Sequence, residues 1–142
     1  KPYIEEFFMK NPHLKDKIIF TGKILDKNVL ESEYKKAKVF VLTSVVEGGT
    51  PNVWVEAARN GCYMICSNID AAEEATNFEK CGKIFETNNI TQLSKILLEV
   101  CNDESNFARG CYDIQEYQER FFDYEKIVYK LAHLLNLSTG EG

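Results

Sequence analysis

Long apolar runs, basic charge, histidine and regularly spaced cysteine are all scarce in this sequence, and each scarcity removes a class of protein. No apolar run approaches the ~18 residues of a transmembrane helix. The opening Lys1-Pro2-Tyr3-Ile4-Glu5-Glu6 lacks a signal-peptide core, so the expected location is cytoplasmic, without membrane insertion. The 17 Lys and Arg are outnumbered by 22 Asp and Glu, and the net charge of −5 argues against a general nucleic-acid or anionic-membrane surface. Any anionic ligand must then be held by local amides or by a few basic side chains. The two histidines, His13 and His133, lie far apart in sequence without ligand-like neighbours, so no metal centre is expected. The five cysteines are odd in number and irregularly spaced, as expected of thiols in a reducing compartment. Cys62 and Cys66 fall in one strand-like run, where residues four apart share a face but stand ~13 Å from each other. They cannot chelate one zinc ion together and read as small core hydrophobes. No Gly-x-Gly-x-x-Gly follows an apolar run, which disfavours a dinucleotide dehydrogenase.

What is present suits one globular domain: 142 residues, 44% hydrophobic and 27% charged. Ile4, Phe7, Phe8 and Met9 have near-helical spacing that stops by Asn11-Pro12. Lys17 to Gly22 is a β-branched and aromatic run ended by glycine, a strand candidate. A helix with Leu30, Tyr34 and Ala37 as its apolar stripe leads to Val39-Phe40-Val41-Leu42-Thr43, apolar almost throughout, as when helices cover both faces of a parallel sheet. Further strands are expected at Tyr63 to Ser67 and Lys83 to Glu86, with a short helix at Asp70 to Ala75 between them. Helices are expected from Asn89 to Val100, with Leu93, Ile96, Leu97 and Val100 inward, from about Tyr112 to Phe121, and from Tyr124 to Leu135. The alternation predicts an α/β fold, a Rossmann-like parallel sheet flanked by helices, over residues 1–137, with a disordered tail at 138–142.

The chain is organised around Ser44 to Gly61. Gly48 and Gly49 allow positive φ and close approach of a ligand. Thr50 suits an N-cap, Pro51 the first helical position and Gly61 the left-handed stop, so a helix of about ten residues is expected. Its first amides have no partner inside the helix and favour an anion such as a diphosphate. Helical spacing puts Asn52, Glu56, Arg59 and Asn60 on one side, and Val53, Trp54, Val55, Ala57 and Ala58 on the packing side. In such sheets ligands bind beyond the carboxyl ends of the strands, so the loops at Gly22-Lys23-Ile24 and Ser44 to Thr50 are expected to share a rim.

Thr50-Pro51-Asn52-Val53, followed by Glu56-Ala57-Ala58 and Gly61, resembles the donor-site segment of retaining glycosyltransferases of family 4, which have the two-domain GT-B architecture. In that family two glutamates bracket the segment with one residue fewer between them than here, where eight separate Glu47 from Glu56. The extra residue is a glycine before Pro51, so Glu56 aligns directly and Glu47 aligns if the glycine loop absorbs the insertion. The resemblance runs from Ile18 to Tyr124 and implies the carboxyl-terminal half of the enzyme, truncated before Lys1 and without the acceptor domain. It implies hexosyl transfer from a UDP- or GDP-sugar to a hydroxyl, with retention and without a metal or other cofactor, in polysaccharide biosynthesis. The acceptor would be a glycan or a lipid-linked glycan held by the missing domain, at the inner face of the membrane. By the same resemblance Glu47 is catalytic and meets the donor sugar. Glu56 holds the ribose hydroxyls, and the Lys23-Ile24 backbone reads the base. Gly48, Gly49, Thr50, Pro51, Asn52 and Val53 line the donor, with Gly49 and Thr50 presenting amides to sugar or phosphate. The family also brings an arginine and a lysine to the leaving diphosphate from a unit upstream of Lys1.

Three readings compete with this one. A nucleotide-sugar epimerase half would bind the same donor, and a degenerate, non-catalytic transferase module would account for the irregular glutamate spacing. The third is an ordinary capped helix with a solvated polar face, on which Glu56 pairs with Arg59 or Asn60.

Overall fold

The structure is a computed structural model that describes residues 2–49, 51–103, 114, 116, 117, 119 and 123–135. It divides into two compact units, Lys1–Leu30 and Glu31–Gly142.

In the first unit, helix α1 (Pro2–Lys10) stops where Pro12 begins a 3₁₀ turn, Pro12–Leu14. The Phe8 ring stands edge-on to Phe7 and to Phe20, with ring centres 5.5 and 5.8 Å away. The strand expected over Lys17 to Gly22 is not formed: residues 18–26 have no regular secondary structure, and Ile19 and Phe20 are exposed. β-branched residues favour a strand only where a ladder takes up their backbone groups, and among the described residues of this unit there is no second strand to pair with. Helix α2 (Lys27–Lys36) starts one residue after Asp26, whose carboxylate accepts the Asn28 amide at 2.8 Å. Leu30 and Tyr34 are half-buried, while Ala37, the third residue of the expected stripe, is exposed just past the helix end.

The second unit carries a three-stranded parallel sheet in the order β1 (Val39–Leu42), β2 (Tyr63–Ser67), β3 (Gly82–Phe85). Val39 pairs with Tyr63 and Leu42 with Cys66, and Met64 pairs with Gly82 and Ser67 with Phe85. Every residue of β2 is buried because both faces of this central strand are covered. Cys62, Met64 and Cys66 turn to one face and meet Trp54, Ala57 and Ala58 of helix α3 (Asn52–Arg59). Tyr63 and Ile65 turn to the other and meet Ile96, Leu93, Leu97 and Val100 of helix α5 (Ile90–Asn102). The inward residues of α5 are those its periodicity indicates. A Cβ at position 82 would stand 2.6 Å from the Met64 carbonyl oxygen, so β3 reaches this closeness to β2 only with glycine there.

Between β2 and β3 lies helix α4 (Ala72–Ala75), two residues shorter than expected. Its carboxyl end is held by Thr76, fully buried, whose hydroxyl donates to the Ala72 carbonyl at 2.9 Å and accepts the Glu79 amide at 3.2 Å. Asn77, Phe78 and Glu79 then take left-handed backbone in succession (φ 49°, 53° and 60°). Helix α5 is capped by Asn89, which accepts the Gln92 amide, and helix α6 (Tyr124–Leu134) by Asp123, which accepts the Lys126 amide. Of the helix expected from Tyr112 to Phe121, Ile114, Glu116, Tyr117 and Glu119 are helical and Ile114 is fully buried. Its remaining residues and the tail 138–142 lie outside the described residues. Cys62 and Cys66 are buried, as expected of small core hydrophobes, and so is Cys81; all three are unbridged, whereas Cys101 is exposed on α5 and Cys111 lies outside the described residues. No described helix is long and apolar enough to cross a membrane.

Candidate functional site

Strand β1 delivers the chain at its carboxyl end into residues 43–51, and α3 follows. Serines pin this loop. Ser67, the last residue of β2, is buried and donates its hydroxyl to the Ser44 carbonyl at 2.6 Å, which ties the loop to the neighbouring strand. Ser44 in turn donates its own hydroxyl to Glu47 Oε1 at 2.7 Å. Val45 and Val46, between them, are exposed, while Glu47 is half-buried. A carboxylate held by a short hydrogen bond beside a glycine pair has a set direction, unlike a solvated surface glutamate.

Gly48 and Gly49 are exposed, with open space where a Cβ would point, and Gly49 has φ +127°, a conformation that L side chains avoid. Here the backbone itself is the accessible surface. Thr50 lies outside the described residues. Pro51 was expected as the first helical residue but occupies the N-cap position, with φ −63° and ψ 138°, and makes no side-chain cap bond. The helix therefore begins at Asn52, one residue late, and its first backward bond runs from the Trp54 amide to the Pro51 carbonyl. The ring fixes Pro51's φ at a value that suits either position, so proline alone does not distinguish them. The stop is as expected: Gly61 has φ +78°, its amide bonds the Ala58 carbonyl, and the Cys62 amide bonds Ala57. That pair of bonds is a Schellman closure.

On α3, Trp54, Val55, Ala57 and Ala58 are buried, and Asn52, Glu56 and Arg59 are exposed. Val53, expected on the packing side, is 38% exposed and faces outward with Asn52. Glu56 Oε2 accepts the Tyr34 hydroxyl at 3.3 Å, and Asn60 bonds the Glu56 backbone carbonyl. Burial of the Tyr34 ring, and then the Glu56 charge beside it, push the phenol up to about 12, so it stays protonated and donates. The Tyr34 ring lies 6.1 Å from that of Phe40 on β1.

The structure thus brings Glu47, Gly48, Gly49, Pro51, Asn52, Val53 and Glu56 together on one loop-to-helix segment of the second unit. Lys23, exposed, and Ile24, half-buried, belong to the irregular stretch 18–26 of the first unit, after Gly22 at φ +66°. Sequence reading missed Tyr34, Ser44 and Ser67. Tyr34 entered only as part of an apolar stripe, and nothing in the spacing of two serines 23 residues apart signals that adjacent parallel strands bring them together.

A glycine-containing loop that leaves the carboxyl end of a parallel strand and opens a helix places the chain among Rossmann-like α/β proteins. The chain belongs to the glycosyl transferases group 1 family, which it matches over residues 5–121. It is 27% identical over 88 residues to Protein CapJ of Staphylococcus aureus, a stretch that makes up 62% of this chain and 22% of CapJ. The solved structure of sucrose-phosphate synthase from Thermosynechococcus elongatus matches with a TM-score of 0.80 at 22% identity, covering 94% of this chain and 33% of the synthase. The fold is that of part of a GT-B glycosyltransferase. The chain spans a third or less of the length of these relatives.

Proposed function

We propose that this chain is the donor-binding part of a retaining glycosyltransferase that moves a hexose from a UDP- or GDP-sugar to an acceptor hydroxyl, without a metal. The single observation that carries the reading is the segment from Glu47 to Glu56: an oriented carboxylate, open glycine backbone with Gly49 at φ +127°, and an exposed carboxylate one turn into the following helix. Each part suits a sugar nucleotide. The glycine amides and the helix start donate to the diphosphate, the Glu56 carboxylate accepts hydrogen bonds from two ribose hydroxyls, and Glu47 meets the hexose. Membership of the family supports sugar transfer and does not favour an epimerase half or a degenerate module. The acceptor, a glycan or lipid-linked glycan, is assigned to a domain outside this chain, on the cytoplasmic side of the membrane.

Calorimetry of the full-length protein with UDP and GDP tests the reading at Glu56. Loss of a hydrogen bond from a charged group to a hydroxyl costs about 1.5–3 kcal/mol, so Glu56→Gln is expected to weaken nucleotide binding roughly ten- to a hundred-fold. Unchanged affinity removes Glu56 from the site.

A further inference from the structure

We propose that Ser44 is a positioning residue for Glu47 and that Ser67 is the fixed point from which it does so, an inference that rests on the role given to Glu47 above. The three residues form one chain of hydrogen bonds. Ser67 Oγ donates to the Ser44 carbonyl at 2.6 Å, and Ser44 Oγ donates to Glu47 Oε1 at 2.7 Å. Its origin is rigid, since Ser67 is 1% exposed and closes β2, a strand with no exposed residue. Its far end is lightly packed: Val45 and Val46 are exposed, and beyond Glu47 come two glycines with nothing within 4 Å of where a Cβ would stand. A carboxylate on so lightly packed a loop would otherwise sample several rotamers, each moving its oxygens by more than a reacting group tolerates. Because a hydroxyl has one proton to give, Ser44 holds Oε1 and leaves Oε2 to meet the sugar. The extra glycine before Pro51 makes such a tether more necessary, because the loop is one residue longer than in the family pattern that this segment resembles.

A double-mutant cycle in the full-length protein tests this, read as nucleoside diphosphate released from a panel of UDP- and GDP-hexoses. Glu47→Gln and Glu47→Ala are each expected to lower kcat. Ser44→Ala is expected to lower kcat about ten-fold, as for one lost bond to a charged group, with the inhibition constants of free UDP and GDP unchanged. In a Glu47→Ala background, where no acceptor for the Ser44 hydroxyl remains, the same Ser44→Ala change should cost nothing further. Ser44→Thr, which keeps the hydroxyl, should restore most of kcat. Should Ser44→Ala melt below the assay temperature, Ser44→Thr decides: loss of turnover in that folded variant overturns the proposal. Losses that multiply in the double mutant, or full kcat in Ser44→Ala, overturn it while leaving the role of Glu47 intact. Full turnover in Glu47→Gln retracts that role and the proposal with it.

Discussion

Glu47 and Glu56 are the same kind of side chain in unlike settings. Glu47 is half-buried and tethered by Ser44 at 2.7 Å, whereas Glu56 is exposed and touched by the Tyr34 phenol at 3.3 Å, long for a bond between oxygens. A group fixed in direction suits a reacting sugar, and one with free lone pairs suits two hydroxyls. Glu47→Ala should therefore spare binding of UDP or GDP while lowering transfer, and equal losses in calorimetry and turnover would remove the division of labour. The cysteines divide as sharply. Burial first, and then the charge of Glu79, push the Cys66 thiol up to about 12, and Cys62 and Cys81 are also buried, while Cys101 is exposed. Since only the thiolate alkylates, mass spectrometry after iodoacetamide treatment at pH 8 should find Cys101 modified, and Cys62, Cys66 and Cys81 intact until the chain is unfolded. Early labelling of Cys66 would mean that the contacts of β2 with α3 open readily.

At the scale of elements, three helix ends are settled by a local device. Asn89 and Asp123 cap α5 and α6, and Gly61 closes α3. Asp123 accepts the Lys126 amide at 3.2 Å and pairs with its ammonium at 2.9 Å. Those bonds from Lys126 hold the carboxyl below the ordinary carboxylate value. A carboxyl whose folded pKa is depressed adds stability above its unfolded value, about 3.9, and that stability is lost as pH falls through the folded value. Acid titration followed by NMR should show the Lys126 amide shifting only below about pH 4 as the first turn of α6 frays. In Asp123→Ala that shift should be absent and the turn frayed at every pH; an unchanged titration would show that another group drives it. The Gly61 stop was readable because it acts within four residues, whereas the caps at Asn89 and Asp123 come from the structure. The start of α3 was misjudged by one residue because Pro51 satisfies the dihedral needs of two adjacent positions.

For the whole molecule, catalysis is a matter of how much of the enzyme is present. Holding donor and acceptor in reacting geometry can contribute ~7–11 kcal/mol, and this chain spans 33% of the synthase whose fold it shares. The 142-residue chain by itself is therefore expected to release no sugar above the uncatalysed rate from any UDP- or GDP-sugar. Its nucleotide affinity should be millimolar at best, roughly 4 kcal/mol of binding. Measurable turnover, or micromolar binding by calorimetry, would overturn the proposed need for a second domain.

Residues near one another in sequence determined the rest of this outcome without help. The apolar run of β2, the stripe on α5 and the glycine stop of α3 follow from period and backbone preference, and with them come the α/β alternation and the segment from Glu47 to Glu56. Only the tertiary structure decided what depends on partners distant in the chain. Lys17 to Gly22 has strand-forming residues but no ladder among the described residues of its unit. Val53 faces outward because the space beneath α3 is filled by Trp54, Val55, Ala57 and Ala58. Ser67 reaches Ser44, and Tyr34 reaches Glu56, across 23 and 22 residues of sequence. Strand preference and helical period are properties of a few consecutive residues, whereas a ladder partner or a hydrogen bond between elements exists only once the sheet has brought them together.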